Sequence, residues 1–94
     1  MNDREREICN RALKTWGVQA QLDMMIEEMS ELTKAIIKYR RGKGDKMDLL
    51  KEGVDVQLMM MQLETMFPIS EWCSELGTKL YRVEELLAQK RGGS

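Results

Sequence analysis

The chain has 94 residues and a mass of 11.0 kDa, room for one domain. A chain this short buries only about 60–65% of the surface its unfolded form exposes, so a lone monomer is expected to be marginal. Fifteen Lys and Arg against sixteen Asp and Glu leave a net charge of −1, without the basic excess of a nucleic-acid binder.

Asp3 is placed to cap a first helix, whose Ile8, Cys9, Ala12, Leu13 and Trp16 form an apolar stripe. Gly17 loosens the chain, and a second helix is predicted from about Val18 to Tyr39, with Leu22, Met25, Ile26, Met29, Leu32 and Ile36 on one arc. Residues 40–45, with two glycines and clustered positive charge, read as a loop. Asp45 is a natural N-cap for a third helix from about Lys46 to Phe67, which Pro68 ends. Ser70 is expected to cap a fourth helix carrying Trp72, Leu76, Leu80, Val83 and Leu87. Residues 92–94 read as a disordered tail. The expectation is an all-α, four-helix, bundle-like subunit forming a single domain over residues 1–94.

The third helix is apolar around most of its circumference, through Leu49, Leu50, Val54, Val56, Leu58, Met60, Met61 and Leu63. Such a helix belongs in the middle of something. Four short helices enclose it poorly, so it is expected also to face a second subunit in a homodimer or homotetramer. No 18-residue apolar run and no charged-then-apolar leader occurs, so no membrane contact is expected and a cytoplasmic location is.

Histidine is absent, which removes imidazole catalysis, histidine triads and histidine-ligated metal sites. Cys9 and Cys73 form no CxxC pair and read as reduced packing residues. Any chemistry must therefore come from carboxylates and an ion. Glu52 and Asp55 lie three residues apart inside the apolar third helix, on a strip with Asp48, Met59 and Gln62. Glu28 and Glu31 repeat that spacing in the second helix, on a stripe with Gln21, Met24 and Ala35, while Glu27 points about 100° away toward solvent. If the two helices pack antiparallel, four acids converge, and their mutual repulsion is relieved by a divalent cation. Oxygen donors without His or Cys select hard ions, Mg²⁺ or Mn²⁺.

The pattern Glu27-Glu28-Met29-Ser30-Glu31, followed after twenty residues by Glu52-Gly53-Val54-Asp55, resembles the E-E-x-x-E…E-x-x-D signature of the MazG-like all-α nucleoside triphosphate pyrophosphohydrolases. The resemblance covers residues 16–67. It implies hydrolysis of nucleoside or deoxynucleoside triphosphates to the monophosphate and pyrophosphate, with Glu28, Glu31, Glu52 and Asp55 as Mg²⁺ ligands, in a dimer or tetramer. Lys51 and Met59 depart from the family pattern and bear on base selectivity. Glu27, part of the motif, takes either a surface role or that of a general base.

Other residues carry two readings each. Lys38, Arg41 and Lys43 form either a solvated loop or a phosphate-binding group. Trp16 is either core or a base contact, and Gln21 a wall residue or a sugar or base contact. The nine methionines fit core filling or a flexible groove, with Met24 and Met59 at its border. The rival function is a helical oligomerisation or adaptor module whose Met-rich faces bind a partner.

Overall fold

A computed structural model describes residues 1–92, in four helices: α1 (Asp3–Trp16), α2 (Val18–Arg40), α3 (Lys46–Thr65) and α4 (Ile69–Gly92). No strand occurs among the described residues. Of the expected tail, Gly93 and Ser94 lie outside the described residues. Among the described residues no helix is long and apolar enough to cross a membrane.

Local chemistry sets the helix ends. Asn2, rather than Asp3, caps α1: its side chain accepts from the Glu5 amide at 2.8 Å and the Glu5 carboxylate accepts from the Asn2 amide at 3.0 Å. This reciprocal pair satisfies two amides that the first turn leaves unbonded. Gly17 separates α1 from α2 with φ 87° and ψ 153°, backbone that L side chains avoid. Gly42, at φ 71°, reverses the chain after α2, and Gly44 passes so close that an added Cβ would lie 3.1 Å from the Lys38 Cβ. Asp45 caps α3 as expected, accepting from the Asp48 amide at 2.7 Å. The third helix ends at Thr65, short of Phe67.

Ser70 lies inside α4 and not at its cap. The Pro68 carbonyl instead accepts from the Glu71 and Trp72 amides at 3.1 and 3.2 Å, and Phe67 stacks on Trp72 across the turn with ring centroids 6.4 Å apart.

The α3 helix packs against each of the other three, most extensively α2, and α4 touches only α3 among the described residues. The core is small: Cys9 and Ala12 of α1, Met25 of α2 and Met59 of α3, joined by the buried amide Gln21. Burial raises the Cys9 thiol pKa above its ordinary 9.0, against a Thr65 hydrogen bond that lowers it. Cys73 is exposed, so only one of the two cysteines packs inside. About half of the apolar positions of α3 and nearly all of those of α4 remain uncovered, including Leu50, Val54, Leu58, Leu76, Leu80, Val83 and Leu87.

The accessible surface of 7811 Å² is about 2,200 Å² more than the roughly 5,600 Å² of a compact monomer of this mass. The radius of gyration, 16.8 Å, likewise exceeds the roughly 12 Å of a compact chain of this length.

Candidate functional site

The site lies along the seam between α2 and α3. Gly42 and Gly44 bring α3 back beside α2, so residue numbers on the two walls run in opposite directions. Gln21 and Met24 share a cavity with Leu58, Met59 and Gln62, while Ala35 and Lys38 share a cleft with Gly44 and Asp48. The expected antiparallel pairing is therefore present.

At the middle of the seam, Glu28, Glu52 and Asp55 each offer a carboxylate oxygen within 4.8 Å of the others. The first two are half-buried and Asp55 is exposed. Spacing i, i+3 on α3 puts Glu52 and Asp55 on one face, and Glu28 meets them from α2. Among the described residues no Lys or Arg makes an ion pair with any of the three. The Glu28 pKa is raised from its ordinary 4.5, first by desolvation and then by the negative charge of Asp55, Glu52, Glu27 and Glu31. A carboxyl group that holds its proton more tightly than a free acid does, among like charges, lacks a counter-charge.

The donor set fits one hard cation. Oxygens that share one octahedral Mg²⁺ ion lie about 3.0 Å apart when adjacent and about 4.2 Å when opposite, so carboxylates within 4.8 Å of one another would have to draw together by up to about 2 Å to hold it jointly. All three donors are oxygen, the preference of Mg²⁺ and Mn²⁺.

Glu31 stands apart from this trio. It is exposed, pairs with Lys34 at 3.5 Å, and lines the adjoining cleft of about 160 Å³ with Lys34, Lys38, Asp48 and Glu52. Its charge still reaches Glu28. An exposed i, i+3 pair of this kind contributes at most about 1 kcal/mol, so it does not fix Glu31 in place. Glu27 is exposed and outside the cluster, the solvent-facing placement that its helical angle implies.

On the other side of the acids lies an open-mouthed cavity of about 480 Å³, lined by Trp16, Ala20, Gln21, Met24, Glu28, Asp55, Leu58, Met59 and Gln62. Met24 and Met59 border it, as the helical stripes suggest. Trp16 does not belong to the core: it is 66% exposed at the cavity wall, because α1 ends there and Gly17 redirects the chain. Gln21, 7% exposed, is the most enclosed polar residue among the described residues.

Gln62, which shares the Glu52–Asp55 strip but carries no signal of its own in sequence, is the unforeseen member. Among the described residues its enclosed Oε1 has no hydrogen-bond partner, and its Nε2 donates only to the Met59 sulfur, at 3.8 Å. An enclosed carbonyl left unbonded costs on the order of 1–3 kcal/mol.

The loop cations divide. Lys38 faces the cleft beside Glu31 and Glu52, Arg41 lines a separate surface cleft with Ile37 and Arg40, and Lys43 lines none of these. Along α2 the order is thus apolar cavity, acids, then lysines. In comparison with known proteins, the chain matches no family model, no curated protein and no solved structure.

Proposed function

We propose that the protein hydrolyses nucleoside or deoxynucleoside triphosphates to the monophosphate and pyrophosphate, with Mg²⁺ as cofactor. The observation that carries this reading is the unpaired Glu28–Glu52–Asp55 group, whose oxygens lie within 4.8 Å, set between an apolar cavity and a lysine-bearing cleft. Glu28, Glu52 and Asp55 would hold the ion, with Glu31 a fourth ligand once it turns from Lys34; Mn²⁺ suits the same donors. When bound, the ion supplies positive charge against the triphosphate. Lys34 and Lys38 extend that charge along the seam and orient the phosphates. Water attacks the α-phosphorus, the bond to the bridging oxygen breaks, pyrophosphate leaves, and a carboxylate takes the proton lost by the water.

The resemblance of residues 16–67 to the MazG-like enzymes supports the reading, as does the lack of histidine, which leaves carboxylate chemistry as the available route. Self-association belongs to it as well. The surplus of about 2,200 Å² per subunit corresponds to about 4,400 Å² in a pair, within the range of obligate homodimers. The same exposed faces on α3 and α4 favour the rival reading, a non-catalytic adaptor.

The test is incubation with the common nucleoside and deoxynucleoside triphosphates and Mg²⁺. Monophosphate and pyrophosphate in equal amounts are expected, with Glu52→Gln and Asp55→Asn reducing turnover on the order of 100-fold or more. Both variants should leave the metal-free fold as stable as before or more so, because each removes repulsion. No turnover of any nucleotide would leave the adaptor as the better account.

A further inference from the structure

We propose that the cavity beside the acids is a nucleobase site in which the Gln62 amide reads the edge of the base. The inference rests on the nucleotide reading above and adds to it a residue that determines specificity. Three observations converge on it. At about 480 Å³ the cavity falls within the size range of small-molecule sites, about 300–1,000 Å³, and is likewise walled mainly by apolar groups with few polar ones. Its wall includes the Trp16 ring, two-thirds exposed, a flat face of the kind on which bases stack. Its polar members other than the acids are two amides, Gln21 and Gln62.

The amide of Gln62 is poised to change partners. Its carbonyl has none, and its amino group has only a long contact to sulfur. Rotation about the last side-chain torsion is soft, so turning the amide toward the cavity gives up little. Once turned, it presents an acceptor beside a donor; adenine and cytosine offer a donating amino group beside an accepting ring nitrogen, guanine and thymine an accepting carbonyl beside a donating N–H, so the orientation in which the amide is held selects between the two classes. An apolar ligand leaves the carbonyl unsatisfied, and a simple cation makes no use of the amino group. Glu28 and Asp55 line the cavity and also belong to the acid group, so a base here places its attached phosphates toward those acids and the lysines beyond.

The experiment uses the four common deoxynucleosides, without phosphate or metal, followed through the fluorescence of Trp16, with Trp16→Phe marking the signal due to Trp72. The same proteins are then given the four deoxynucleoside triphosphates with Mg²⁺. Wild type should bind at least one nucleoside, in a definite order of preference. Gln62→Leu should weaken the best binder tenfold or more and compress that order, mainly by raising KM with kcat retained, while its thermal midpoint in the free state stays level or rises. Gln62→Glu keeps an acceptor but loses the donor, and should reorder the four rather than level them. Unchanged ranking in Gln62→Leu, or hydrolysis by a wild type that binds no nucleoside, would overturn the base site and leave the catalytic reading standing. Binding that depends on Gln62 without hydrolysis by any preparation would support the base site and remove the catalysis. Neither binding nor hydrolysis removes both.

Discussion

Among single residues, Glu28 shows most directly what the site lacks. Desolvation and four neighbouring acids raise its pKa above 4.5. The folded protein therefore keeps a proton where the unfolded chain has lost it, so this group's effect on stability falls as pH rises from 4.5 through the raised value. Metal-free wild type should lose thermal midpoint across that window relative to Glu28→Gln, in which the component is missing. Identical pH profiles for the two proteins would mean that the acids do not strain one another. The i, i+3 spacing made the shared face of Glu52 and Asp55 legible in sequence, whereas the meeting of Glu28 and not Glu31 with them depends on how α2 sits against α3. Glu31 shares the stripe with Glu28 but not the cluster: it is exposed and pairs with Lys34. The unsatisfied carbonyl of Gln62 depends on how Met59 and its neighbours pack, and no spacing rule reveals that.

At the scale of the elements, the ends of α2 and the start of α3 follow from glycines and a capping aspartate, whose signals are local. Two caps differ from the sequence expectation, each where a nearby residue competes: Asn2 against Asp3, and the Pro68 carbonyl against the Ser70 hydroxyl. Of the joints, the one at Gly17 matters most for the site, because it sets Trp16 at the cavity rather than in the core. An added Cβ there meets nothing within 4 Å, so the obstacle to substitution is the backbone angle alone. Gly17→Ala should cost about 1–3 kcal/mol, and each kcal/mol lowers the thermal midpoint of a domain this size by about 4–8 °C. Calorimetry checks this, and a midpoint within 1–2 °C of wild type would show that the joint relaxes to an ordinary conformation.

For the molecule as a whole, the apolar circumference of α3 marked its uncovered leucines in sequence, whereas the extended outline and the bare α4 depart from the expected bundle-like subunit, because α4 packs on α3 alone among the described residues. Which residues of a neighbouring copy would cover them is not written in a periodicity, because one chain's pattern marks a face and not its complement. Light scattering at micromolar concentration should give a mass at least twice 11.0 kDa. The thermal midpoint should rise with protein concentration, as mass action requires. Leu76→Glu combined with Leu80→Glu, on the exposed face of α4, should shift the population toward monomer and lower the midpoint. A monomeric wild type with a concentration-independent midpoint would require the apolar faces to serve some other purpose.

Glu28 and Asp55 are shared: each lines the apolar cavity and each belongs to the acid trio. Occupants of the two compartments therefore cannot be thermodynamically independent. Any cation that draws these side chains inward reshapes the rim against which a ring would rest, and whatever factor it lends to the affinity for that ring, the ring must return to the affinity for the cation.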